Sequence, residues 1–390
     1  MLVLLAKMRR PRCLYISDGD PSDSWTWSGT AASQLRVLQS LCSDVAVVCV
    51  PRLPTDKIGS VRDRLAKMVQ GQSYFTDSDP LVLWFRKRAL APQLSQANYD
   101  FVFAWMPWHG LLAPPCRPFV FWYDTAYSGT RDLYYNHHSD DSHRNSESFE
   151  RQSIARSSAA IYSSAWATDC AKRDFPSFAN RMHTIPFGPN MDNLPDVATV
   201  QRSIGDRART NYHLLFIGRE WERKRGALVM DTLRCLVLQG FSVNLHLAGC
   251  NPDLSPWPDL IRYVTQHGIL DKRIDSDRRL LRELYLSSHV FFMPSRAESY
   301  GIVFTEALAH GVPCVATSTG GVSTIVRDGT SGFLLPLEAE ASAYASLLAS
   351  ILADRNDYES LALGAYDLYR AELNWDVATA RFREILHSVL

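Results

Sequence analysis

Pro294-Ser295-Arg296-Ala297-Glu298-Ser299-Tyr300-Gly301-Ile302-Val303-Phe304-Thr305-Glu306-Ala307-Leu308 follows directly on the apolar run 289–293. That run is short, continuous and ends at a proline, as a strand buried in a parallel sheet does, and helical spacing follows over 301–310. Strand, tight turn and helix in this order form half of a βα unit. The first turn of such a helix directs backbone N–H groups and the positive end of its dipole outward, which suits phosphate or sugar oxygens. Glu298 stands before that turn and Glu306 inside the helix. One carboxylate can hold the hydroxyls of a sugar ring, the other those of a ribose. Taken singly, Glu298 also reads as a dipole partner and Glu306 as a surface residue. Together, in one strand–turn–helix, they favour a ligand site.

The same alternation extends in both directions. Residues 213–217 predict a strand ending at Gly218, and a helix from Gly226 runs up to Gly240. Strands at 243–248 and 313–316 follow, the first ending at Gly249, the second at Gly320-Gly321. In the first half, strands are expected at 13–17, 45–50, 101–105, 119–123 and 159–162, with an amphipathic helix carrying Leu35, Leu38 and Leu41. Residues 52–80 and 128–148 are polar and read as loops at strand ends. Pro186, Gly188, Pro189 and Pro195 break the pattern, and residues 196–210 lack apolar periodicity. The fold class expected is α/β, with two Rossmann-like doubly wound domains facing across a cleft. We expect a first domain over 1–190, a linker over 191–211 and a second domain over 212–372. A final helix, 373–390, is expected to pack back toward the first domain. Ligands of such sheets lie beyond the C-terminal strand ends.

Composition narrows the class. The chain has 390 residues, room for two cores. Lys+Arg and Asp+Glu both number 41, so a generic nucleic-acid binder is not indicated. The eight cysteines are scattered without a Cys-x-x-Cys pair, and read as free thiols in a reducing compartment. The apolar start, Met1 to Ala6, precedes its charges and is too short for a signal or a membrane span. A cytoplasmic protein is expected, one able to touch a membrane surface.

Further candidates come from chemistry. Arg219 and Lys224 flank a glycine turn after a strand. Two fixed cations there would stabilise a diphosphate leaving group more in the transition state than in the ground state. Glu220, Glu222, Arg223 and Arg225 crowd the same segment, so a solvated charged loop reads equally well. Ser28, Gly29 and Thr30, after Trp27, precede the first helix; Gly29 would let backbone approach a phosphate, and a plain helix cap is the alternative. Trp25 and Trp27 fit an acceptor pocket or ordinary packing. Asp124 follows a buried strand and suits contact with a sugar, polarisation of an acceptor hydroxyl or a helix cap. His137, His138 and His143 lack a metal-ligand spacing and read as solvated loop residues. Glu147 and Glu150 are expected to open the next helix and serve its dipole. Asp18-Gly19-Asp20 spells a metal-binding Asp-x-Asp, but sits after the first strand among turn residues and reads as loop.

The stretch Glu298 to Glu306 resembles the Glu-x7-Glu signature of glycosyltransferase family 4. Phe216-Ile217-Gly218-Arg219 with Lys224 is similar to that family's glycine loop. Gly311-Val312-Pro313, Gly320-Gly321-Val322, Asp328-Gly329 and Gly332-Phe333-Leu334 follow in the family's order. The resemblance covers about residues 213–340 and implies the two-domain GT-B fold and retaining transfer from a nucleotide-diphosphate sugar, with no metal and no cofactor. It makes Arg219 and Lys224 strong candidates and leaves Arg223 and Arg225 weak ones. The diphosphate would lie between Gly218–Lys224 and the Gly301 turn, the ribose on Glu306, the sugar on Glu298, Ser299, Tyr300, Gly301, Ile302 and Val303. Asn251 and residues 269–272 would line the base. Relatives carry a His near Asp124, so a catalytic role for Asp124 is open. The acceptor would be a saccharide or lipid-linked. A nucleotide-sugar epimerase, a non-catalytic sugar-nucleotide binder and a dinucleotide-dependent dehydrogenase are the rivals; the last lacks a Gly-x-Gly-x-x-Gly after either first strand.

Overall fold

The computed structural model describes residues 10–23 and 25–390, so the apolar start over 1–9 lies outside the described residues. By contact the chain separates into one unit of Met1–Ile185 with Thr379–Leu390, and a second of Pro186–Ala378.

The first unit runs β1 (Arg12–Ser17), α1 (Thr30–Leu41), β2 (Asp44–Cys49), α2 (Lys57–Gln70), α3 (Pro80–Gln96), β3 (Phe101–Ala104), β4 (Phe119–Tyr123), α4 (Tyr127–Tyr134), α5 (Asp140–Arg156), β5 (Ala159–Tyr162), α6 (Ala165–Asp174) and β6 (Met182–Thr184). The strands pair in parallel in the order β2-β1-β3-β4-β5-β6. A parallel sheet is covered on both faces, which is why β3 and β5 are buried along their whole length. Trp122 is wholly buried, stacks on Phe382 at 5.6 Å and donates its indole N–H to the Ile185 carbonyl at 2.9 Å.

Two stretches expected as loops are helical. Residues 52–80 contain α2 and the start of α3, and 128–148 contain most of α4 and the first half of α5. Their polarity misled because these helices bury little apolar surface: α2 buries only Gly59, and α5 buries mainly Ser, His, Phe and Glu side chains. Helix starts are nonetheless marked. Asp79 caps α3 through the N–H groups of Leu81 and Val82, and Ser139 caps α5.

The second unit runs α7 (Val197–Asp206), β7 (Tyr212–Ile217), α8 (Gly226–Leu238), β8 (Val243–Ala248), β9 (Val264–Gly268), α9 (Asp275–Ser287), β10 (Val290–Met293), α10 (Ile302–Leu308), β11 (Cys314–Thr317), β12 (Gly332–Leu335), α11 (Ala341–Ala353) and α12 (Arg355–Glu372). The last helix, α13, spans Trp375–Val389. Its parallel sheet is ordered β12-β11-β10-β7-β8-β9. The expected linker contains α7, capped by Asp196 and burying Val200 and Ile204 one turn apart. Arg207, itself buried, donates to the carbonyls of Leu286, His310 and Gly311 and to the Tyr358 hydroxyl at 2.7–3.2 Å. Four imidazoles line the same sheet: the Nδ1 of His289 accepts from the His213 backbone N–H, His213 meets His246 at 2.8 Å, and His246 meets His267 at 3.0 Å. Among the described residues no helix is long and apolar enough to cross a membrane.

Candidate active site

In the second sheet successive strands are added to one side from β7 to β9 and to the other from β10 to β12, so the order reverses between β7 and β10, and the crevice beyond the C-terminal ends of such a pair is where doubly wound sheets take ligands. β7 delivers Gly218 there and β10 delivers residues 294–298. Lys224 folds back over Gly218: a Cβ at 218 would lie 2.1 Å from its Cδ, so only glycine leaves room for the stem. The buried ammonium then reaches Glu298 Oε2 at 3.4 Å and Met293 Sδ at 3.1 Å. Arg223 joins them, donating to the Ala297 carbonyl at 2.6 Å and to Glu298 Oε2 at 3.3 Å, while its other edge grips Glu220. Ser295 Oγ adds a further contact to Glu298 at 3.3 Å. One carboxylate thus gathers two cations in a place that is only 12% exposed, where breaking a pair is costly.

The turn after β10 is fixed by its backbone. Gly301 has φ +85°, and a Cβ there would meet the Phe304 ring at 2.6 Å and Glu298 Cγ at 3.1 Å. Tyr300 donates its hydroxyl to the Phe187 carbonyl at 2.6 Å, and the Gly321 N–H bonds the carbonyls of Glu298 and Ser299. Ile302 and Val303 then open α10. Glu306, one turn later, is almost fully buried; it pairs with Lys272 and accepts from the Tyr285 hydroxyl at 3.1 Å. Lys272 also donates to the Asn190 carbonyl at 3.2 Å. Arg219 is exposed beside Gly218. The Asp271 carboxyl is held below its usual range, first by hydrogen bonds from Arg273 and last by the charge of Arg219. Asn251 is exposed after β8, its amide 3.5 Å from the point where a Cβ on Gly268 would stand.

The second unit therefore brings Gly218, Lys224, Glu298 and the Ser299–Val303 turn together, with Glu306 one helical turn on. Sequence reasoning set Arg223 among the weak residues, whereas it holds Glu298 directly. Lys272, expected beside a base, pairs with Glu306. Tyr285 escaped notice because its spacing on α9 reads as plain core. Arg225 lies apart, donating to the Leu337 and Ala339 carbonyls.

In the first unit the corresponding reversal falls between β1 and β3. Asp18, after β1, meets His109, after β3, at 2.6 Å. Burial pushes the Asp18 carboxyl up, but the imidazole, with Arg86 and Arg52, more than offsets this and leaves it low. Asp20 instead accepts from the N–H and hydroxyl of Ser22. The two acids of Asp18-Gly19-Asp20 thus have separate tasks. Trp27, Ser28 and Gly29 all take left-handed backbone, and Trp27 stacks on Trp105 at 4.6 Å. Two non-glycine residues held so cost on the order of 1–3 kcal/mol each. Gly29 caps α1 without a side-chain bond, and Thr30, the first residue of α1, is buried. Asp124 is half-buried at the end of β4, its carbonyl accepting from Ser163 Oγ at 3.3 Å.

Three readings in this unit are corrected. His143 is buried on α5 and bonds the Tyr127 hydroxyl at 2.6 Å. His138 is half-buried, and burial first, then His137 and His143, pushes it down to about 4. Glu150 lies deep in α5, not at its opening, and accepts from the Tyr127 N–H at 2.9 Å.

Residues 211–354 match the family model described as glycosyl transferases group 1. A D-inositol 3-phosphate glycosyltransferase of Xylanimonas cellulosilytica is 29% identical over 246 residues, covering 60% of this chain and 58% of the relative. One from Thermomonospora curvata is 33% identical over 186 residues, covering 45% and 43%. The chain thus spans less than two thirds of the length of these relatives. Among solved structures, the sucrose-phosphate synthase of Thermosynechococcus elongatus superposes with a TM-score of 0.71 at 18% identity, over 97% of this chain and 99% of that one. The HepE protein of Anabaena, solved with UDP and glucose, gives 0.62 at 14% identity, over 97% and 100%. These likenesses show the GT-B fold. Residues 211–354 thus resemble the glycosyl transferases group 1, and both sheets match structures of the GT-B fold.

Proposed function

We propose that this protein is a retaining, metal-independent glycosyltransferase that moves a sugar from a nucleotide-diphosphate donor to a saccharide or lipid-linked acceptor. The observation that carries the reading is Lys224 lying over Gly218 and against Glu298 at the strand reversal of the second sheet. A donor diphosphate beside Gly218 would meet the ammonium of Lys224 and the guanidinium of Arg219 as charge builds on the leaving group. Two cations there make a divalent ion unnecessary. Glu298, freed from part of its pairing, would take sugar hydroxyls, with the Ser299–Val303 backbone beside it. Glu306, set by Lys272 and Tyr285, would take the ribose. Asp124 would lie toward the acceptor. The HepE neighbour was solved with UDP, which supports a uridine diphosphate donor as the first to try.

A cytoplasmic protein resting on a membrane surface fits a lipid-linked acceptor. Val61, Leu65, Met68 and Val69 on α2 and Leu81 and Trp84 on α3 are exposed, among the exposed cations Lys57, Arg64, Lys87 and Arg88. Apolar side chains interleaved with positive charge suit an anionic bilayer surface.

A panel of nucleotide sugars tests the reading by thermal shift and by release of nucleotide diphosphate, with and without EDTA. Stabilisation by one sugar nucleotide and turnover that survives chelation are expected, and NMR of the product gives the anomeric outcome. Stabilisation by a dinucleotide cofactor alone, or inversion at the anomeric carbon, would overturn it. Release of epimerised donor without acceptor would favour the epimerase.

A further inference from the structure

A second pocket lies wholly within the first unit, beyond the C-terminal ends of β3 and β4. Its walls are aromatic: Phe75, Trp108, Tyr123, Tyr135 and Phe149. Glu150, only 7% exposed, is among its lining residues. Among the described residues Glu150 has no Lys, Arg or His within ion-pair distance, and its hydrogen bond is from the Tyr127 backbone N–H. A buried carboxyl without a counter-ion is held in its neutral form, and a cation entering beside it would favour the ionised one. Aromatic faces carry the negative side of a quadrupole and draw cations, above all when water is excluded. A positive charge that fits an apolar space would therefore meet both the aromatic walls and a carboxyl able to ionise against it.

We propose that this pocket binds an organic ammonium ion, a primary amine or a quaternary ammonium group, with Glu150 as its counter-charge and the aromatic rings as its walls. The inference does not rest on sugar transfer, since binding alone tests it. Inorganic cations are not favoured, because among the described residues no group of three or more His, Cys, Asp or Glu side chains stands ready to hold a metal ion.

The groups around Glu150 support a simple pH response. Burial first, then the negative charges of Asp174 on α6 and Glu147 on α5, pushes its carboxyl up to about 8 despite the Tyr127 N–H. Tyr127 on α4 is raised to about 12, by burial first, and burial also raises Tyr123 on β4 and Tyr162 on β5. His138, in the pocket wall, is neutral above about 4, and His143 is bonded to the Tyr127 hydroxyl. Glu150, at about 8, therefore changes charge between pH 7 and 9. A bound cation favours the ionised carboxyl, so its affinity should rise on the order of tenfold over that range.

Calorimetric titration of the full chain with choline and with its neutral isostere 3,3-dimethylbutan-1-ol, at pH 7 and 9, is the test. Choline is expected to bind at least tenfold more tightly than the isostere at pH 9, to weaken about tenfold at pH 7, and to lose that preference in Glu150→Gln. Equal or tighter binding of the isostere, or choline affinity that falls as pH rises, would overturn the proposal and mark the pocket as a site for neutral ligands. The wild-type comparison stands even where Glu150→Gln fails to fold. Offering ethanolamine with a nucleotide sugar separates an acceptor amine, recovered glycosylated by mass spectrometry, from a cation that only binds.

Discussion

The strand edges of the two units are built from opposite materials. In the second, charged side chains are paired across elements: Lys224 and Arg223 on Glu298, Lys272 on Glu306. In the first, aromatic rings surround a single carboxyl with no cation on it. On the readings proposed above, one edge receives a multiply charged group by exchanging partners and the other holds something apolar with at most one charge. Paired charges are spaced by the chain and leave a motif; an aromatic enclosure is assembled from five separate segments and leaves none.

The largest expected effect breaks the first half of that contrast. Lys224→Met keeps the volume of the stem and removes the charge, and kcat/KM should fall on the order of 100-fold or more. A loss under threefold, in protein that melts normally, would mean the ammonium has no part in turnover. Gly218→Ala leaves every charge in place and displaces Lys224 by steric contact alone. Its kcat should fall between about tenfold and 100-fold, because a misplacement near 1 Å is enough. A crystal structure of that variant with Lys224 unmoved would separate position from charge. Glu306→Gln should raise the donor KM about tenfold with a smaller change in kcat, measured by initial rates over donor concentration.

The smallest effects concern pH, and Glu150 in the first unit and His246 in the second carry opposite signs. Glu150 is raised from 4.5 to about 8 in the fold, so its neutral form stabilises fully below 4.5 and that contribution is lost as pH climbs through 8. Glu150→Gln should therefore melt a few degrees above the wild type at pH 9 and level with it at pH 4.5. In the second unit burial first, then His213 and His267, lowers His246 to about 4. Its contribution is present above 6.5 and lost as pH falls through 4. Hydrogen exchange resolved by segment should show the second sheet loosening in acid before the first. Both units loosening together would remove the contrast.

Much of the second unit was legible because βα units repeat and each strand stops at a glycine or proline. Glu298 and Glu306 stood out for the same reason. Arg223 did not, since five charged neighbours over 219–225 look alike until the backbone turns one of them inward. Strands β6, β9 and β12 were missed: β9 reads Val-Thr-Gln-His-Gly, too polar for a buried run, and β12 is four residues long. The helices in 52–80 and 128–148 were hidden because local apolar period reports burial, and these helices bury polar or small side chains. Glu150 offered no signal at all. A glutamate three residues from another on a polar helix says nothing of which one faces a cavity.

Arg207 has a practical corollary. The segment that matches the family begins at residue 211, a natural place to cut when one half is wanted alone. Such a cut removes the guanidinium that satisfies the Leu286, His310 and Gly311 carbonyls, at about 1–3 kcal/mol for each acceptor left dry. Against a total of only about 5–15 kcal/mol, that is a large share of the reserve. The shortest autonomous version of the second half should begin near Pro186, with α7 retained as its keystone.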